Sequence, residues 1–107
     1  MFVIKDAYSF SATVEVAVPG VGAPTLQSFS ASFTVSLDAM EEILAGRLGD
    51  QEALRRTWDG WAGIAGEDGQ DVPFSEPMRE RLIAIPFVRL AVAKTLLDAL
   101  IGRRAKN

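Results

Sequence analysis

Apolar and polar residues alternate with period two from Tyr8 to Val18. Tyr8, Phe10, Ala12, Val14, Val16 and Val18 fall on one side, and Ser9, Ser11, Thr13, Glu15 and Ala17 on the other. Alternation built from β-branched and aromatic side chains predicts a half-buried strand. Leu26 to Val35 repeats it, with Phe29, Ala31, Phe33 and Val35 opposed to Ser28, Ser30, Ser32 and Thr34. PGVGAPT, residues 19–25, carries the prolines and glycines of a loop between the two. Keeping both apolar sets on one face requires an even residue opposite an odd one, such as Val14 opposite Phe29 or Ala31. The prediction is a long antiparallel hairpin, about residues 8–18 and 26–35, with one apolar and one hydroxyl-rich face. Phe2 to Ile4 is expected to extend the first strand or to form a separate edge piece. A lone hairpin is marginal, so its apolar face needs helices or a neighbour against it.

The period then changes to that of helices. Ser36 is an N-cap, with Val35 and Met40 at hydrophobic-staple spacing and Leu37, Met40, Ile43, Leu44 and Leu48 as an inner stripe. Gly46 and Gly49 weaken that helix at its end. Asp50 is placed to cap a second short helix from Gln51 to about Trp58, with Leu54 and Trp58 inward. The stretch WDGWAGIAGEDGQDVPFS, residues 58–75, organises the chain. It holds Trp58 and Trp61, the largest apolar groups present, which are expected to join the two halves in one core. It also holds the turn pair Asp68-Gly69, then Phe74, then Ser75 as the N-cap of a helix with Pro77 in its first turn. That helix, Glu76 to Ile85, is expected to face inward with Met78, Leu82 and Ile85 and to break at Pro86.

The last helix, Phe87 to Ile101, is apolar over an arc of roughly 220° at 100° per residue. Val88, Ala99, Val92, Leu96, Leu100, Ala93, Leu97, Leu90 and Ile101 make up the arc, and Lys94, Thr95 and Asp98 the polar remainder. A surface helix needs only about half that apolar width. The helix is therefore either central in its own fold or shared with a partner. Arg89 lies within the arc and needs a carboxylate or a route to water. Gly102 is placed to end the helix, with Arg103, Arg104 and Lys106 as a basic tail. The whole reads as one α+β domain, residues 1–107: a hairpin over 1–35, a helix pair over 36–60, a turn-rich connector over 61–75 and a helical tail over 76–107, with four or five short helices in all.

Composition narrows the chemistry. Of 107 residues, 49% are apolar and 23% charged, a globular balance. The chain contains no cysteine and no histidine, so Ser-His and Cys-His pairs and thiolate metal sites are excluded. The glycines match neither a P-loop nor a dinucleotide fingerprint. Glu67, Asp68 and Asp71 lack calcium-loop spacing, and Glu41 and Glu42 point apart on their helix. No catalytic residue, cofactor or metal site is expected. Residues 1–75 carry four bases against eleven acids, a net −7, and residues 76–107 carry seven bases against three acids, a net +4. That split permits head-to-tail contact between copies, with self-association as the expectation, or docking on an acidic partner; two solvated faces of one monomer is the other reading of the same charges. The overall charge of −3 and the absence of aromatics among the C-terminal bases argue against nucleic acid. Lys5 and Asp6 interrupt the opening apolar run, and Pro86 and Arg89 break the longest later one, so neither a secretory leader nor a membrane span is expected, and the location is read as cytoplasmic.

The order of several of these motifs resembles small tail assembly chaperones of long-tailed bacteriophages and prophages. The motifs are Phe33-Thr34-Val35, the acidic helix pair, Trp61-Ala62-Gly63-Ile64, Glu67-Asp68-Gly69, Val72-Pro73-Phe74-Ser75 and the ending Gly102-Arg103-Arg104-Ala105-Lys106-Asn107. The resemblance covers most of residues 29–107. It implies a non-enzymatic protein of the bacterial host cytoplasm. Such a protein coats the long helical tape measure protein, recruits tail tube protein subunits and then leaves. On that footing Val88, Val92, Leu96 and Leu100 are expected to line a groove for a client helix or a self-contact, with Arg89 gripping an acidic group. Ordinary core is the other reading of the same residues. A minor virion structural protein of the tail or head–tail connector is the competing class, and a small regulator that binds another protein is a third.

Overall fold

The computed structural model describes residues 1–103. The alternating segments form strands β1 (Ala7–Val18) and β2 (Thr25–Ser36), paired antiparallel without interruption, with Val14 opposite Phe29 and Ala12 opposite Ala31. That register keeps both apolar sets on one face, where Val14, Val16, Ala31, Phe33 and Val35 are buried. On the other face hydroxyls meet across the strands: Ser9 Oγ and Thr34 Oγ1 at 2.9 Å, and Ser11 Oγ and Ser32 Oγ at 3.0 Å. Phe2 to Ile4 neither extends β1 nor forms an edge strand. Those residues lie exposed, their backbone held by the Tyr8 hydroxyl, which accepts from the Lys5 N–H and donates to the Val3 carbonyl.

Ser36 caps helix α1 (Leu37–Leu44), its hydroxyl accepting from the Ala39 N–H. The inner side of α1 is narrower than its sequence stripe. Ala39 is buried, Met40 and Ile43 pack on the core, and Leu37 and Leu44 are exposed. Helix α2 (Asp50–Thr57) starts from Gly49 as N-cap, so Asp50 is its first residue and its carboxylate accepts from the Gln51 N–H.

The second helix stops at Thr57, and Trp58 opens a third strand, β3 (Trp58–Ala62), on the free side of β2. The sheet order is β1-β2-β3. Gly60 pairs with Ser32 while Trp58 pairs with Phe33, which leaves Asp59 as an extra residue in a bulge. The bulge has a structural effect. Two residues three apart would point to opposite faces of a regular strand, but here Trp58 and Trp61 oppose Phe33 and Ala31 and share the apolar face. Asp59 turns to the hydroxyl face, where its carboxylate accepts from Thr34 Oγ1 at 2.6 Å.

The connector contains more structure than loop chemistry alone implies. Ala65 and Asp71 form a bridge around a turn in which the Gly69 N–H donates to the Gly66 carbonyl. Gly69 has φ +79°, a backbone region that side chains disfavour, and the Asp68 carboxylate accepts from the Gln70 N–H. Ser75 then caps α3 (Glu76–Ile83) by accepting from the Met78 N–H, with Pro77 in the first turn. This helix ends two residues before its expected limit. Ile83, not Ile85, enters the core, because the chain is already turning towards Pro86.

Helix α4 (Pro86–Leu100) closes the fold. It ends in a Schellman motif: Gly102 at φ +79° donates to the Ala99 carbonyl, and the Arg103 N–H donates to the Asp98 carbonyl. Arg104 and Lys106 of the expected basic tail lie outside the described residues. The helices cover only the apolar face of the sheet. α4 lies along β1, α1 and α2 lie against β2, and α3 packs on α2 and α4. One cluster forms the core: Val14, Val16, Ala31, Phe33, Val35, Ala39, Leu54, Trp58, Ile83, Val88, Val92 and Leu96.

Candidate functional site

The aromatic residues of the organising stretch are structural. Trp58 is fully buried, stacks on Phe29 at 6.2 Å between ring centroids and meets Trp61 at 5.3 Å. Trp61 meets Phe74 edge-on at 4.8 Å, and the Arg79 guanidinium lies 5.9 Å from the Phe74 ring centroid. Each indole N–H is satisfied locally, Trp58 by the Gly60 carbonyl and Trp61 by the Val72 carbonyl. The Arg79 side chain donates to the Trp58 carbonyl at 3.0 Å and so ties α3 to β3. These contacts join the two halves of the chain, as expected of Trp58 and Trp61.

Three of the residues expected to meet a partner are core residues. Val88 is 9% exposed, Leu96 1% and Val92 0%, packed beneath α4 with β1 and the other helices. They do not line an open groove. The apolar face of the sheet has to be covered, and an aliphatic stripe at i, i+4 spacing covers it well. Leu100 is half-buried at the rim of the same cluster. Arg89 does grip an acidic group, but an internal one. Its Nε lies 3.3 Å from Asp50 Oδ2, and its Nη1 donates to the Ile83 carbonyl at 2.9 Å. One guanidinium thus pins the starts of α2 and α4 to the end of α3, and its charge is compensated within the chain.

The open part of α4 is the opposite side. Phe87, Leu90, Leu97 and Ile101 are 37%, 60%, 42% and 48% exposed. On a helix at 100° per residue these four and Lys94 occupy one stripe pointing away from Val92. The arc read from sequence therefore contained two surfaces, one for the core and one left uncovered. Leu90, Leu97 and Ile101 were in that arc, and Phe87 was not singled out. What was missing was the side on which the sheet would lie.

Lys94 Nζ lies 2.8 Å from Asp98 Oδ2, and Arg103 reaches the other oxygen of the same carboxylate at 4.0 Å. Elsewhere charged groups pair both within helices, as Arg56 with Glu52, and between them. Arg55 Nε donates to Glu80 Oε1 at 2.7 Å, a contact that raises the Arg55 pKa further above its ordinary value, the direct hydrogen bond being the largest cause. No group of three or more acidic residues among the described residues is arranged to hold a metal ion. A shallow cavity of about 180 Å³ lies on the hydroxyl face, lined by Thr13, Glu15, Leu26, Gln27 and Ser28. It is smaller than the roughly 300–1,000 Å³ of small-molecule sites. No described helix is long and apolar enough to cross a membrane.

These features define a small single-domain α+β protein: a three-stranded antiparallel sheet covered on one face by four helices, with an open apolar stripe on the last of them. No family model, curated protein or solved structure matches the chain.

Proposed function

We propose that the protein is a tail assembly chaperone of the kind made by long-tailed phages and prophages. In this reading it works without catalysis in the host cytoplasm. It holds the helical tape measure protein, brings tail tube protein subunits to it and is released as the tube closes. The observation that carries the reading is the uncovered stripe Phe87, Leu90, Leu97 and Ile101 on α4. Large apolar side chains in one row on a helix suit contact with another polypeptide. The order of turn, cap and strand motifs through residues 29–107 supplies the family. Self-association of copies along the client belongs to the same proposal.

Co-expression tests it. A tape measure protein co-expressed with this chain is expected to be insoluble alone and soluble with it, and finished virions are expected to lack the chain by mass spectrometry. Stoichiometric recovery in virions would favour the competing role of a minor tail or connector subunit.

A further inference from the structure

The uncovered residues of α4 have a particular spacing. Phe87, Leu90, Lys94, Leu97 and Ile101 follow one another at intervals of three, four, three and four. This is the a/d repeat of a left-handed helix–helix seam, and it indicates that the missing cover is a helix lying nearly parallel to α4. Ala91 and Ala93 flank the row, one on each side, and both pack against the core.

Charge and length decide between a second copy and a different protein. Lys94 is the central a position, and its side chain is 77% exposed. Among the described residues the carboxylate beside it, Asp98, is shared with Arg103, so the group of three carries a net +1. Parallel in-register pairing of two α4 helices would set Lys94 against Lys94, and antiparallel pairing, in which a positions face d positions, would set it against Leu90 or Leu97; in neither does a free carboxylate among the described residues lie along the row. The row also spans only two heptads, short for a two-stranded coiled coil that must hold itself together, which needs about three or four. A longer helix gripped by several copies avoids both problems.

We propose that the α4 row is a docking seam for an acidic amphipathic helix of another protein, with leucine-class residues at a and d and a carboxylate facing Lys94. This rests on the reading of the α4 stripe as the client surface and names the client chemistry it selects.

The test uses two synthetic helical peptides, each about three heptads long with leucine at a and d. One carries Glu at the central core position and the other Lys. Each is titrated into the isotopically labelled full chain and followed by NMR. Shifts are expected at Leu90, Lys94, Leu97 and Ile101, with the Glu peptide binding about tenfold more tightly than the Lys peptide. Lys94→Glu should reverse the preference. Leu97→Asp should abolish binding of both peptides while the remaining spectrum stays native. Equal affinities, an unchanged preference in Lys94→Glu, or shifts on another surface would overturn the seam. A wild-type dimer by sedimentation that Leu97→Asp dissociates would overturn the choice of partner. If the peptide preference holds but the tape measure protein is not solubilised, the chaperone reading fails and the seam stands. If Leu97→Asp still solubilises the tape measure protein, the seam fails and the chaperone reading stands.

Discussion

Val92 and Leu97 lie on one helix and have similar side chains, yet Val92 is fully buried and Leu97 is 42% exposed. The inward stripe, Val88, Val92 and Leu96, seals the sheet that the hairpin leaves open. The outward row, Phe87, Leu90, Leu97 and Ile101, joins no core cluster among the described residues. Hydrophobic patterning alone does not separate the two, since it reports affinity for apolar surroundings and not their source. The inward residues are held by folding itself. The outward ones gain only when something else arrives, so substitutions on the two sides should diverge sharply.

The widest divergence is expected from one change made on the inward side. Leu96→Asp places a carboxylate in the core, where Leu96 is 1% exposed among apolar neighbours. A buried unpaired charge costs more than about 4 kcal/mol, a large share of the stability of a small domain. The variant should show no cooperative melt by circular dichroism. A native-like melt would mean that α4 can lift away from β1, and the inward stripe would then be a surface.

Trp58→Ala should follow, at about 3–5 kcal/mol in denaturant unfolding, because it removes the largest buried side chain and two of its aromatic contacts. The loss should include early fraying of β3, visible as fast amide exchange at Trp61 and Ala62.

How much of this was legible beforehand varied with how local the cause was. The register of the hairpin could be read because each strand alternates cleanly and a slip would invert a whole face. Ser36, Ser75 and Gly102 could be read because caps and C′ glycines act within a few residues. β3 could not. Its five residues include Gly60, and its tryptophans are three apart, out of phase with any strand until Asp59 bulges. The partner of Arg89 was hidden for a similar reason, since Asp50 lies 39 residues earlier and only the packing of α2 against α4 brings it close. In the last helix the width of the apolar arc was legible and its division was not.

Arg89 gives a smaller and sharper test of that division. Its side chain is 19% exposed and that of Asp50 35%, so the pair is partly screened. Arg89→Met should cost about 1–2 kcal/mol, most of it from leaving the Ile83 carbonyl and the Asp50 carboxylate short of a donor. A double-mutant cycle with Asp50→Ala should recover a coupling of about 0.5–1.5 kcal/mol. A coupling near zero would free Arg89 from its internal role and return it to the candidates for partner contact.

The smallest effect on stability is expected on the outward row. Leu97→Asp replaces a side chain that is 42% exposed and lies one residue before Asp98. Substitutions of this kind stay within about 0.5 kcal/mol, because Leu97 belongs to no core cluster among the described residues. The same change puts a carboxylate at a d position of the seam, where a client helix would bury it against leucine, so client solubilisation should fall while the melting curve barely moves. Most buried substitutions lose fold and function together and cannot show which surface acts. Leu97→Asp separates them, because stability reads the contacts made within the chain and solubilisation reads those made beyond it. If the melt of Leu97→Asp drops as far as that of Trp58→Ala, the outward row is covered in solution by the chain itself or by a second copy, and the contrast between the two sides of α4 disappears.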